Sequence, residues 1–177
     1  MAYLLLILAV VLGFLIGHKI SSQHQYLKQL MAFSGAFLLS LTVLEILPEV
    51  YQTNTDYPVG LFILCGILLQ LILELFSQGA EHGHIHEHKN STGFPVLLFT
   101  GLSVHALLEG LPIEENNHML WGILIHKIPE SIMLTLFLIH SKINYRYIIV
   151  CMGIFALMTP LGSYLAKNSE WVNLYQI

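Results

Sequence analysis

The chain has 177 residues, of which 55% are hydrophobic and only 10% are charged, and its net charge is −4. Soluble domains carry roughly 25% charged residues, so this composition and a mean hydropathy of +0.70 exclude an ordinary soluble protein. We predict an integral membrane protein with an all-α fold, because a lipid-exposed backbone must satisfy its own hydrogen bonds.

Six apolar runs predict six membrane-spanning helices in a single transmembrane domain over residues 1–177. Each run is long enough, as a helix, to cross the hydrocarbon layer. The first run lacks the basic start and the small-residue cleavage site of a signal peptide, so we interpret it as a span. In chain order the runs are Met1–Gly17, Leu30–Leu47, Tyr57–Phe76, Phe94–Ile113, Met119–Ile139 and Tyr147–Leu165.

The basic residues predict the orientation of the bundle. Alternate connections hold most of the Lys and Arg residues, and such connections face the cytoplasm. The basic set is Lys19, Lys28, Lys89, Lys142 and Arg146. The opposite connections hold Glu49, Asp56, Glu114 and Glu115. We therefore expect the connection between spans three and four to be cytoplasmic and both termini to lie outside, with Lys167 as an exception.

Two central spans share a spacing of histidine and glutamate. His105 and Glu109 lie four residues apart in span four, and His126 and Glu130 lie four residues apart in span five. Positions i and i+4 share one helix face, so two opposed faces would provide two nitrogens and two carboxylates. This set of ligands suits Zn²⁺, Fe²⁺ or Mn²⁺.

The cost of burying charge favours a function for these groups. Glu109, Lys127 and Glu130 would together cost on the order of 8–10 kcal/mol in hydrocarbon unless they are paired, neutralised or hydrated. A bound cation would offset that cost. The alternative is a structural ion pair between Lys127 and one glutamate, with the two histidines hydrogen-bonded in the core.

Prolines accompany the acidic residues in three spans. Pro129 has no N–H group, so we expect span five to bend beside His126 and leave the carbonyl of Ile125 without its helical partner. Pro112 follows Glu109 in span four, and Pro48 precedes Glu49 in span two. Irregular backbone at membrane depth is tolerated where it lines a cavity.

The segments HALLEG and HKIPE resemble the fourth- and fifth-helix motifs of the ZIP (Zrt/Irt-like) divalent-metal transporters. LEILPE in span two and MTPLG in span six are similar to the corresponding helices of that family. The resemblance implies that His105, Glu109, His126 and Glu130 bind the transported ion midway through the membrane. The family has eight membrane helices, so a chain with six spans would lack the last two.

The resemblance also implies a single metal ion. Some family members bind a second ion through three further positions, which hold Ala106, Lys127 and Thr159 in this sequence. None of the three is a usual ligand, and the ammonium group of Lys127 would lie where the second ion sits. We expect Lys127 to act as a fixed positive charge that partly balances Glu109 and Glu130.

A histidine-rich connection and several acidic residues complete a predicted transport pathway. Residues 78–93 contain four histidines at alternate positions, which we interpret as a weak cytoplasmic receiver for zinc. These are His82, His84, His86 and His88. Glu45 and Glu49 would attract or bind ions at the outer side, together with an acidic vestibule that includes His118. Glu74 would accept the ion near the cytoplasm, unless these groups are simply solvated.

The function predicted from these patterns is transport of divalent cations into the cytoplasm, with zinc as the favoured cargo and no resident cofactor. We expect no enzyme activity, although an intramembrane metalloenzyme and a non-transporting metal sensor are the alternatives. The expected partners are metal ions and the lipid bilayer, with a homodimer as an open alternative and no nucleic acid. The compact connections favour a bacterial inner membrane.

Overall fold

The computed structural model describes residues 1–20, 25–53, 58–77, 96–113 and 118–168. Within these ranges the chain is helical and contains no strand, which confirms the predicted all-α class. The helices are α1 Ala2–Lys19, α2 Gln25–Leu41, α3 Leu47–Thr53, α4 Val59–Ser77, α5 Val96–Glu109, α6 His118–His140 and α7 Tyr145–Asn168. A π-helical segment, Thr42–Ile46, joins α2 to α3.

Four stretches are long and apolar enough to cross a membrane. They are Ala2–Lys19, Tyr26–Gln52, His118–His140 and Tyr145–Asn168. Two shorter apolar helices, Val59–Leu73 and Val96–Glu109, correspond to the predicted spans three and four. The architecture is therefore a polytopic helix bundle.

Two predicted boundaries were wrong in an informative way. Span four was expected to continue to Ile113, but α5 ends at Glu109 and turns through Gly110–Pro112. The residue before a proline avoids helical geometry, so Pro112 favours an end to the helix over a bend within it. Span two was expected over Leu30–Leu47, whereas the helical stretch extends well beyond both of those ends.

The π-helical segment lies directly before Pro48. In it, the N–H group of Leu47 bonds the carbonyl of Thr42, five residues earlier. Pro48 cannot donate a backbone hydrogen bond and would crowd the preceding turn of a regular α-helix. The wider π-helical turn keeps α2 and α3 continuous, and Glu45 lies within this turn. Pro129 has a milder effect, since α6 continues through it as a helix.

Local signals explain the tight turn between α6 and α7. Lys142 adopts a positive φ of 53°, a conformation that often closes a helix C-terminus. Asn144 then caps α7, because its side-chain oxygen accepts a hydrogen bond of 3.1 Å from the N–H group of Arg146. The two longest helices are therefore joined by a turn that positions α6 beside α7.

Helix α6 lies at the centre of the bundle. It packs against α1, α2 and α7, while α5 packs between α4 and α7. Gly13 and Gly17 of α1 face Ser131 and Thr135 of α6, so closely that a methyl group on Gly13 would come within 2.5 Å of the Cβ of Ser131. Small residues spaced in this way allow close approach of membrane helices. The same close approach joins α5 to α7 through Gly110 and Gly162.

Candidate metal-transport site

The charged centre of the bundle is formed by Lys127 and two glutamates from neighbouring helices. The Nζ atom of Lys127 lies 2.5 Å from Oε2 of Glu109 and 2.6 Å from Oε2 of Glu130. The side chains of these three residues are between 1% and 5% exposed. Lys127 thus bridges the acidic residue of α5 and the acidic residue of α6, as expected for a fixed balancing charge.

An aromatic ring completes the surroundings of the ammonium group. Nζ of Lys127 lies 5.1 Å from the ring centroid of Phe155, a fully buried residue of α7. A cation near an aromatic face at this distance is attracted by the ring quadrupole. Three helices, α5, α6 and α7, therefore hold one lysine at the middle of the bundle.

Each carboxylate keeps one oxygen out of this ion pair. Oε1 of Glu109 and Oε1 of Glu130 are buried and accept no hydrogen bond from the residues that the structure describes. Leaving a buried polar atom unsatisfied costs roughly 1–3 kcal/mol, and more when the group is charged. Buried carboxylate oxygens of this kind are chemically able to bind a cation.

The two predicted histidines lie beside this charged centre. The ring centroids of His105 and His126 are 6.3 Å apart, with the edge of one ring directed at the other. Glu109 lies one helical turn after His105 on α5, and Glu130 lies one turn after His126 on α6. The structure therefore brings together all four residues that share the repeated spacing.

The four side chains do not form a finished metal cage. No group of three or more His, Cys, Asp or Glu residues in the described ranges is arranged to hold an ion. The observed contacts are closer to the alternative interpretation of the sequence, in which Lys127 pairs with one glutamate and the histidines are hydrogen-bonded in the core. The structure differs from that interpretation because Lys127 contacts both glutamates.

Sequence patterns did not identify the residues that hold the histidines. Oγ of Ser34 on α2 lies 3.1 Å from Nδ1 of His126, and Oε1 of Gln70 on α4 lies 3.3 Å from Nδ1 of His105. An amide within the apolar run ILLQLILEL was a detectable signal, because polar groups at membrane depth often have a purpose. A single serine in a helix is too common to stand out.

The predicted pathway residues are only partly described. Glu45 belongs to the π-helical segment, and its side chain contacts His118 at the start of α6. Oε1 of Glu45 lies 3.0 Å from Nδ1 of His118. Glu49 is exposed in α3. The remaining candidates lie outside the described residues or have undescribed side chains. They are Asp56, Glu74, His82, His84, His86, His88, Glu114 and Glu115.

Comparisons with known proteins point to transporters. The chain matches no protein-family model and no solved structure. It is 27% identical to zinc transporter ZIP1 of Danio rerio, in a match that covers 73% of this chain and 60% of that protein. It is 26% identical to zinc transporter ZIP1 of Takifugu rubripes, over 77% of this chain and 62% of that protein.

The chain spans about three fifths of the length of these relatives. Both relatives are named as transporters, which favours a transporter over an enzyme, and the membrane-length helices indicate an integral membrane protein. The resemblance predicted from the motifs of α5 and α6 is confirmed as a similarity to two proteins named zinc transporter ZIP1.

Proposed function

We propose that the protein transports divalent metal ions across the membrane, with zinc as the cargo, through one site formed by His105, Glu109, His126 and Glu130. Iron and manganese are further possible cargoes, because the same ligand types accept them. The similarity to two zinc transporters supports the class of protein and the choice of zinc. The chemistry of the central residues supports the site.

The observation that carries this proposal is the pair of unsatisfied carboxylate oxygens. Lys127 contacts Oε2 of each glutamate, while Oε1 of each is buried without a hydrogen bond from the described part of the chain. Together with the two imidazoles, these oxygens would supply two nitrogen and two oxygen ligands. Zn²⁺ commonly takes four such ligands in a tetrahedron.

A small closure would complete the coordination. Zinc–nitrogen distances of about 2.0–2.1 Å require two imidazoles on one ion to have centroids roughly 5–6 Å apart. The observed separation of 6.3 Å is slightly larger than this range, so the two rings would have to approach each other to share one ion.

Lys127 sets the charge of the site in both of its states. With two carboxylates and one ammonium group, the empty site carries a net charge of −1, and a divalent ion changes it to +1. Without the lysine, the empty site would carry −2 and the loaded site would be neutral. The ammonium therefore weakens the attraction for the ion, so that the carrier can release its cargo.

The route through the protein follows from the remaining charges. Glu45 and His118 form an exposed pair at the proposed outer end, where they would collect cations. The histidine-rich connection at residues 78–93 would receive the ion at the cytoplasmic side. Exposure of a midplane site to each side in turn is a general mechanism of membrane carriers.

The test is uptake of radioactive zinc by proteoliposomes that contain the 177-residue chain. We expect zinc uptake above that of empty liposomes, and loss of nearly all of it in His126→Ala. His140→Ala is the matched control, because His140 lies at the end of the same helix and bonds the carbonyl of Leu136. Absence of uptake by the parent chain, or full uptake by His126→Ala, would overturn the proposal.

A further inference from the structure

We infer that Ser34 and Gln70 are positioning residues that fix the protonated nitrogen of His126 and His105, so that both rings present Nε2 to the metal. This inference rests on the proposed function for the identity of the ligand that Nε2 would take. The two residues belong to α2 and α4, which contribute no proposed ligand of the central site. They would thus act on the ion through the imidazoles.

The hydrogen bonds of Ser34 determine the tautomer of His126. A serine hydroxyl has one proton to donate and can also accept. Oγ lies 3.0 Å from the carbonyl of Met31, which can only accept, so we assign the single proton of Ser34 to that bond. With the proton placed there, Oγ accepts in its 3.1 Å contact with Nδ1 of His126. The proton of a neutral His126 is therefore on Nδ1, and the ring lone pair is on Nε2.

The same result follows for His105 by a different route. Its Nδ1 atom lies 3.3 Å from Oε1 of Gln70, and an amide oxygen can only accept. The Nδ1–H group of His105 therefore donates to Gln70, and the lone pair of its neutral ring is again on Nε2. Two unrelated partners on two different helices thus select the same tautomer in both rings.

The position of Ser34 argues against a general structural role. Its side chain is fully buried in an apolar helix and touches the site from α2. A buried hydroxyl brings a desolvation cost that alanine would avoid. Metal-binding histidines usually donate their other N–H group to a neighbouring acceptor, which fixes the ring and raises its basicity. Loss of such an acceptor typically lowers metal affinity 10- to 100-fold, as a rough guide.

Ser34→Ala removes the acceptor, and Ser34→Thr keeps it. The matched control is Ser40→Ala, because Ser40 lies on the same helix but is exposed and bonds only the local carbonyl of Ala36 among the contacts described. For α4, Gln70→Leu removes the acceptor and Gln70→Glu keeps an oxygen in its place. Each variant is first checked for a cooperative thermal unfolding transition in detergent.

Two measurements on the full chain are then compared. Nitrogen NMR of histidine-labelled, metal-free protein reports which ring nitrogen is protonated, with His126→Ala and His105→Ala identifying the signals. Zinc titration reports affinity. We expect Nδ1–H in the parent, mixed tautomers in Ser34→Ala with affinity reduced about 10- to 100-fold, and parental behaviour in Ser34→Thr and Ser40→Ala.

The outcomes separate this inference from the proposed function. A parent chain that binds zinc but has Nε2–H on either ring would overturn the inference alone. The same holds if Ser34→Ala and Gln70→Leu keep the parental tautomer and affinity. A parent chain with Nδ1–H on both rings that binds no zinc would overturn the proposed function, and with it the purpose assigned to these contacts.

Discussion

The two halves of the candidate site use the same sequence spacing but are supported very differently. His126 and Glu130 belong to α6, which is packed on three sides by α1, α2 and α7. His105 and Glu109 belong to α5, whose outer neighbour α4 has exposed apolar residues along most of its length. One half of the site is therefore built into the core, and the other lies towards the edge of the bundle.

The hydrogen bonds to the histidines follow the same division. Ser34, on the well-packed side, is fully buried and lies 3.1 Å from His126. Gln70, on α4, lies 3.3 Å from His105, slightly beyond the usual range for such a bond. If zinc binds at the site as proposed, we expect α5 to adjust its position more than α6 does.

Lys127 joins the two halves, so its loss should have the largest effect. Lys127→Met leaves two buried carboxylates without a counter-charge, and removal of one partner from a buried ion pair costs roughly 3–5 kcal/mol. We expect a much lower unfolding temperature in the metal-free variant, and a large recovery when zinc supplies the missing charge. The measurement is thermal unfolding in detergent with and without zinc.

Lys142→Met is the control for this experiment, because Lys142 lies in the exposed turn after α6. It should unfold like the parent under both conditions. If zinc stabilised Lys127→Met no more than it stabilises the parent, the result would contradict zinc binding at the carboxylates of Glu109 and Glu130.

The attachment of α5 to α7 can be broken at one glycine. A methyl group on Gly162 would collide with the backbone carbonyl of Leu107 on α5, and backbone cannot move aside as a side chain can. We expect Gly162→Ala to lower the free energy of unfolding by about 1–3 kcal/mol. It should also reduce zinc uptake, because Glu109 lies two residues from that contact on α5.

Gly153→Ala provides the control on the same helix, since a methyl group there would meet no atom within 4 Å. It should be neutral or slightly stabilising, because alanine favours helix more than glycine does. Equal stability of the two variants would show that α5 and α7 do not pack as closely at Gly162 as described.

The sequence predicted the helices and the charged residues of the candidate site better than it predicted the residues that hydrogen-bond to the histidines. Hydropathy located α1, α6 and α7 to within about three residues at each end, because long apolar runs have few alternatives in lipid. The charge of Lys127 between Glu109 and Glu130 was also predicted. The π-helical segment was missed, since apolar patterns contain no information on hydrogen-bond register.

The residues that hold the imidazoles were missed for a related reason. Ser34 is 92 positions from His126 in the sequence, and nothing in its neighbourhood distinguishes it from Ser40. The contact depends on how α2 crosses α6, which is set by packing of the whole bundle. Spacing within one helix can predict which residues share a face, but the partner that faces them comes from tertiary structure.

The smallest expected effect is at the proposed outer end, where Glu45 contacts His118. Both side chains are substantially exposed, at 40% and 76%, so water and salt screen the pair and its contribution is small. We expect Glu45→Gln to raise the zinc concentration needed for half-maximal uptake by roughly two- to fivefold, with the maximal rate unchanged. Zinc-dependent initial rates of uptake measure both quantities.

A double variant sharpens this last test. If Glu45 and His118 collect the ion together, Glu45→Gln combined with His118→Asn should be little worse than either change alone, because each removes the same shared contact. Independent effects that multiply would show that the two side chains meet without cooperating in capture. A fall in the maximal rate would instead indicate that Glu45 takes part in the conformational change of the carrier. In that case the π-helical segment that contains Glu45 would be the segment that moves.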